Sequence, residues 1–285
     1  MTPLRQKMID AMQVRGFSAR THQSYLSAVS ALAQYYHRTP ERLSVDEIQA
    51  YFLYLVKERG LSGASCRLYL NAIRFLYLQV LKQTTFDVPF QIPKKAQRIP
   101  ELLTRAEVGQ ILSAVRNTKH RVMLTTCYGC GLRVSELVAL KVRHIDSERH
   151  LLRVEQGKGG KDRQVVLPET LLQQLRRYWR HYQPTLWLFP HGDTDVALAI
   201  STAQQVFTRA KSSAGIDKIG GIHSLRHAYA THQLEAGLPV HQLQQLLGHQ
   251  DIRTTLRYVH WVPGYRAGEI GVDLIAALEV EHGGH

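Results

Sequence analysis

The chain is short of acid, of cysteine and of long apolar runs, and each shortage excludes something. Its 285 residues carry 23 acidic against 36 basic side chains, a formal charge of +13. That imbalance suits a polyanionic partner, and nucleic acid or an anionic membrane surface are the two candidates. No apolar run nears the roughly 18 residues of a membrane-spanning helix, and the start, Thr2-Pro3-Leu4-Arg5-Gln6-Lys7, has no signal-peptide core. Together these predict a cytoplasmic protein that meets DNA or RNA. Three cysteines, Cys66, Cys127 and Cys130, are too few for a disulfide framework. Cys127-Tyr128-Gly129-Cys130 spells a C-x-x-C, yet no second pair exists and its surroundings are apolar, so buried reduced thiols are the better reading. Fifteen histidines include no HExxH, and His282-Gly283-Gly284-His285 reads as a solvated tail. No metal or cofactor is expected.

What is present divides in two. Apolar content of 44% is that of a globular protein, and the length fits one large domain or two ordinary ones. Residues 1–90 read as a compact bundle of about four helices, the N-terminal domain. Tyr25, Val29, Leu32 and Tyr36 form one helical stripe, and Ser44-Val45-Asp46-Glu47 is a capping box ahead of Ile48, Tyr51, Phe52 and Leu55. Leu68, Ile73, Leu76 and Val80 are expected on the apolar side of the next helix. Eleven basic and six acidic residues leave this segment positive, with Arg20, Arg67, Arg74 and Lys82 at polar positions.

Three prolines between residues 88 and 100 (Pro89, Pro93, Pro100) forbid a continuous helix there. The linker proper is placed at 91–101, where Lys94, Lys95 and Arg98 could lie along a phosphate backbone or simply be solvated. Residues 102–285 then form a C-terminal mixed α/β domain with a tail. Thr104-Arg105-Ala106-Glu107 caps its first helix, and Val122 to Tyr128 reads as a buried one broken by Gly129 and Gly131. Arg133 follows that break, placed at the start of a helix, with Glu136 oriented to pack beside it. Residues 151–156 and 163–167 read as paired strands joined by the turn Gly157 to Asp162. That turn is no Walker A loop, since neither of its Gly-Lys pairs is followed by Ser or Thr.

The densest chemistry lies in residues 223–258. His223 and Arg226 stand at i and i+3, on one helical face. Val240 to Leu247 has helical spacing, Gly248 sits where a C-cap glycine belongs, and His249 follows it. Tyr258 comes nine residues later, in a segment that Thr254 or Thr255 could cap. Any one of these residues is explained as well by packing. Together they suit a phosphodiester: guanidinium forks match its non-bridging oxygens, and a deprotonated tyrosine can attack phosphorus to form a covalent ester.

Residues 223–258 resemble the C-terminal signature of the tyrosine recombinases, the phage-integrase and Xer-like family. The resemblance extends to Gly131-Leu132-Arg133-Val134-Ser135-Glu136-Leu137 and to Gly157-Lys158-Gly159-Gly160-Lys161-Asp162-Arg163, and so covers nearly the whole chain. It implies a mainly α fold with a small β-hairpin or sheet: an N-terminal helical SAM-like clamp on DNA and a C-terminal catalytic domain. It implies a site-specific recombinase or integrase that uses no ATP and no metal, with Arg133 and Arg226 on the scissile phosphate. Tyr258 would form a 3′-phosphotyrosyl bond, Lys158 would protonate the 5′-oxygen, His223 would manage the nucleophile's proton, and His249 would donate to a non-bridging oxygen. Double-stranded DNA is the implied partner, at the nucleoid, within a tetrameric synapse and with accessory DNA-bending proteins. A tail stripe of Val272, Ile275 and Leu278 would dock on a neighbour or cover its own domain. A type IB topoisomerase-like nicking and resealing enzyme, or a catalytically silent DNA-binding protein, would share the basic faces.

Overall fold

A computed structural model of the chain describes residues 2–83, 86, 101–155, 162–192, 194–262, 264–265 and 275–276. The chain divides into two compact units, Met1–Arg98 and Ile99–His285. Among the described residues, no helix is long and apolar enough to cross a membrane. The basic linker, both lysines of the Gly157 to Asp162 turn, and Val272 and Leu278 of the tail lie outside the described residues.

Among the described residues, four α-helices make the first unit: α1 (Pro3–Val14), α2 (Ala19–Tyr36), α3 (Val45–Lys57) and α4 (Gly63–Arg74), the last continuing as a π-helical stretch, Phe75–Val80. Serine hydroxyls set their starts. Ser18, Ser44 and Ser62 each accept from a backbone N–H three residues on, and Glu47 closes the capping box at Ser44. Met8, Met12, Leu32, Ile48, Phe52, Leu55, Ile73 and Leu76 fill the core. One expectation fails. Leu68 is 38% exposed, and the buried stripe of α4 runs through Cys66, Leu70, Ile73 and Tyr77 instead. Those positions follow 3.6-residue spacing, and Leu68 falls between them on the outer side. Arg20, Arg67 and Lys82 are exposed, as a basic outer face requires.

Among the described residues, the second unit wraps eight named α-helices and a small sheet around one core. The helices are α5 (Arg105–Ser113), α6 (Thr118–Gly129), α7 (Val134–Val138), α8 (Glu169–Tyr182), α9 (Ile200–Ser213), α10 (His223–Glu235), α11 (Val240–Leu247) and α12 (Ile252–Val259). The expected strand pair is present as β2 (Leu151–Val154) and β3 (Arg163–Val166). A two-residue β1 (Ile145–Asp146), too short to show a pattern, adds an antiparallel edge in the order β1-β2-β3. From Val122 onward α6 is buried on every side, so its apolar run has no polar face to betray a period. Cys127 and Cys130 are buried, and burial pushes the Cys127 thiol up to about 12. Ile275 of the tail is buried too, packed where Gly129 and Leu171 of its own chain meet.

After α6 the chain turns at Gly131, which has φ +58°. A Cβ built there would lie 2.5 Å from the Tyr229 ring. Both the left-handed backbone and the ring forbid a side chain. Gly131→Ala is therefore expected to destabilise the protein by about 2–4 kcal/mol, from backbone strain plus overpacking, measured as a fall in denaturant midpoint.

Candidate functional site

The site is built on a buried carboxylate. The turn at Gly131 leaves Arg133 as the N-terminal cap of α7, and Glu136 one turn on reaches back to it. The Arg133 backbone N–H donates to Glu136 Oε2 at 2.8 Å, and its Nη1 to Oε1 at 2.7 Å. Arg163, at the start of β3, donates Nη1 and Nη2 to the two oxygens of Glu136, both at 2.8 Å. Arg226 lies third, its Nη1 3.8 Å from Oε2. Burial alone would raise the Glu136 pKa. The hydrogen bonds and charge of Arg163, joined by the Arg133 donors, overcome it and hold the carboxyl at about 2. The expected pairing of Glu136 with Arg133 is present, and Arg163 and Arg226 extend it. Because α7 has only five residues, its dipole contributes little; the arginines supply the charge.

Arg226, one turn into α10, is 3% exposed. Its Nη1 donates to the Gly131 carbonyl and its Nη2 to the Leu247 carbonyl, each at 2.7 Å. Burial and then the Arg133 charge bring its pKa down to about 10, so it stays cationic at neutral pH. Leu247 ends α11, and Gly248 caps it in the left-handed region with φ +63°. A Cβ at Gly248 would meet Arg163 Cδ at 2.8 Å, so only glycine lets the arginine pass. Arg133 Nη2 donates to the Gly248 carbonyl at 3.4 Å.

This cap presents His249, whose Nε2 is 3.1 Å from Arg226 Nη2 and whose Nδ1 is 2.9 Å from Thr255 Oγ1. A guanidinium only donates, so Nε2 must accept and the ring proton sits on Nδ1, donating to Thr255. Burial, then Arg226 and Arg133, lower the His249 pKa to about 3, which agrees with a neutral ring. The cap of α12 differs from expectation. Asp251 fills it, its carboxylate accepting from the Arg253 N–H, while Thr254 and Thr255 lie inside the helix. Thr255 is fully buried as the partner of His249.

Tyr258, on α12, is 5% exposed. Its ring lies parallel to His249 (5°, centroids 6.3 Å apart) and edge-on to Trp261 at 5.2 Å. Burial raises its pKa, opposed by Arg226, Arg257 and Arg133, whose charges favour the phenolate. The imidazole hydrogen-bonded to its oxygen is that of His227, with Nδ1 3.0 Å from Oη. His223 opens α10 as an exposed residue, its pKa lowered by partial burial and by Arg226 and Arg133. Arg133, Arg226, His249 and Tyr258 are thus brought together, with His223 at their edge; Lys158 lies outside the described residues. Sequence reasoning missed His227, Arg163 and Thr255. Helical spacing held a signal for the first, since His227 follows His223 by one turn.

Fold and site define a class, the DNA strand-transferases built around an arginine pair and a tyrosine, and comparison with known proteins gives its family. Residues 101–263 match the phage integrase family, and residues 4–86 match the phage integrase N-terminal SAM-like domain. An integrase/recombinase of Escherichia coli is 32% identical over 311 residues, 91% of each chain. Tyrosine recombinase XerD of Oceanobacillus iheyensis is 33% identical over 271 residues, 86% of this chain and 89% of that one. A crystal structure of a lambda integrase(75–356) dimer bound to a COC′ core site superposes with TM-score 0.74 at 20% identity, covering 88% of this chain and 95% of that one. That likeness speaks to the fold alone. The chain belongs to the phage integrase family, and it is a site-specific recombinase of the tyrosine type.

Glu136 supports a pH prediction. Its folded pKa is depressed from the ordinary 4.5 to about 2, so it contributes stability above pH 4.5 that is lost as pH falls through 2. Glu136→Gln leaves buried guanidiniums without their counter-charge and is expected to cost about 3–5 kcal/mol at neutral pH. Urea melts between pH 2 and 5 should show the wild type losing about 1.4 kcal/mol per unit more steeply than the variant.

Proposed function

We propose that Arg133 and Arg226 grip the scissile phosphodiester of a DNA duplex and that Tyr258 is the nucleophile. The observation that carries this is the convergence of both guanidiniums, His249 and Tyr258 from the α7 cap, α10, the α11 cap and α12 into one cationic cluster. The tyrosine oxygen bonds to phosphorus as the bond from phosphorus to the 5′-oxygen breaks, giving a 3′-phosphotyrosyl ester and a free 5′-hydroxyl. The ester retains the energy of the phosphodiester, and a 5′-hydroxyl from another strand can reverse the step without ATP. As the pentavalent transition state gathers negative charge, the arginines answer it with charge already in place. His249 accepts from Arg226 in the free protein; once the phosphate draws that guanidinium away and offsets its charge, Nε2 can take a proton and donate to a non-bridging oxygen.

Lys158 is the proposed acid for the leaving 5′-oxygen, on the strength of its place in the family's Gly-Lys-Gly-Gly-Lys run. His223, beside the arginines, completes the phosphate's surroundings. The helical first unit, with its exposed Arg20, Arg67 and Lys82, serves as the second grip on the duplex. Assembly as a tetramer belongs to the same reading; lambda integrase has been seen as a tetramer bound to a Holliday junction. The place of action is then the cytoplasm, on nucleoid DNA. A nicking and resealing enzyme or a silent DNA-binding protein is not favoured: the relatives are recombinases, and the described catalytic positions are all filled.

Tyr258→Phe should bind DNA as the wild type does and form no covalent adduct on a nicked suicide substrate; an adduct mapped to Tyr265 would overturn the assignment. Lys158→Ala should cleave at least about 100-fold more slowly. It should recover on a substrate whose bridging 5′-oxygen is replaced by sulfur, where Arg226→Ala does not. Recovery by Lys161→Ala instead would name the other lysine.

A further inference from the structure

We infer that His227 is a catalytic residue, the group that takes the proton from Tyr258 during attack and returns it when the strand is rejoined. The inference rests on Tyr258 being the nucleophile, and it assigns to His227 a task that the family resemblance gives to His223. Geometry separates the two histidines. His227 Nδ1 is 3.0 Å from Tyr258 Oη, whereas His223 is the exposed first residue of α10.

The direction of the hydrogen bond follows from the neighbours. The Arg226 charge favours the phenolate of Tyr258, and a guanidinium offers no acceptor for its proton. The tyrosine's own proton therefore needs an acceptor, and His227 Nδ1 is the one in place. For Nδ1 to accept, the ring must be neutral with its proton on Nε2. The groups facing the ring agree: His223 and Arg226 on α10, Tyr258 and Arg257 on α12, with the Trp261 ring beyond. Burial, then His223, Arg226 and Arg257, lower the His227 pKa to about 4. The ring is held by packing against Tyr258 at 5.7 Å and edge-on to Trp261 at 5.9 Å. Thr231 Oγ1 donates to the His227 carbonyl at 3.1 Å, within α10.

So weak a base would not strip a proton from an idle phenol. It need not, because the phenolic proton turns strongly acidic as its oxygen bonds to phosphorus. The arriving phosphodiester also offsets the arginine charge that holds the imidazole neutral. In the forward step the O–H bond of Tyr258 breaks and its proton moves to Nδ1 to give an imidazolium, while the bond from phosphorus to the 5′-oxygen breaks at the far side and that oxygen takes a proton from the acid proposed at Lys158. In rejoining, the 5′-hydroxyl gives its proton back to that lysine as its oxygen attacks phosphorus, the bond from phosphorus to the tyrosine oxygen breaks, and the imidazolium returns its proton to Tyr258. An easily lost proton suits a reaction that must run both ways.

The test uses the full chain and a nicked suicide duplex under single-turnover conditions. His227→Asn places an amide near the Nδ1 position but cannot carry the proton. It should bind DNA like the wild type and form the Tyr258 adduct about 100-fold more slowly. A ring-fluorinated tyrosine installed at position 258 loses its proton more readily, and should recover about tenfold or more of that loss while barely changing the wild type. His227→Ala, as a second variant, should be rescued by added imidazole in proportion to its free base. His223→Asn should show neither rescue. The inference is overturned if His227→Asn cleaves at the wild-type rate, if its defect resists both rescues, or if His223→Asn is the variant rescued. A wild-type chain that forms no adduct at Tyr258 would overturn the nucleophile assignment itself.

Discussion

One buried carboxylate organises the catalytic unit. Glu136 lies among Arg133, Arg163 and Arg226, which would repel one another in a low-dielectric interior were it absent. Arg163 takes its two oxygens in a fork-to-fork pair, the geometry that gives most energy per ion pair. Arg163 also donates Nε to the Leu246 carbonyl at 2.9 Å, and Arg226 to the Gly131 and Leu247 carbonyls. The turn after α6, the start of β3, α10 and the end of α11 are thereby fastened to one another. The arrangement keeps more positive than negative charge, the surplus that the proposed phosphate grip relies on. A site assembled in this way needs little reorganisation to receive an anion.

The proposed nucleophile is governed by a different balance. Tyr258 is buried, which opposes ionisation, yet three arginine charges favour its phenolate. Burial, with Arg226 and Arg257, keeps His249 and His227 neutral, joined by Arg133 at His249 and by His223 at His227. Neutral rings can each do one thing: His249 accepts from Arg226, and, in its inferred role, His227 accepts from Tyr258. On the proposed reading, a bound phosphodiester adds one negative charge at the centre, and every pKa here would shift with it.

Glycine at two positions lets this packing exist. Gly131 turns the chain under the Tyr229 ring and turns its carbonyl to Arg226. Gly248 ends α11 and leaves room for the Arg163 side chain. At both places the left-handed backbone and the close neighbour make the same demand, so the residue type is determined twice over.

Sequence alone determined the local features: serine and threonine caps, the capping boxes at Ser44 and Thr104, the αL glycine at Gly248, and the helices they bound. These depend on residues within a turn of one another, and such short-range signals survive without a fold. The family resemblance added the set of residues to watch. Tertiary structure decided the rest, because the decisive pairs are far apart in the chain. Arg163 meets Glu136 across 27 residues and His227 meets Tyr258 across 31. Neither pairing has a periodic signature: helical spacing puts His227 one turn after His223, but it does not bring Tyr258 to it. Leu68 and the cap of α12 went astray for a related reason. Several residues could locally fill each role, and only packing of one helix against the others chose Leu70 for the core and Asp251 for the cap.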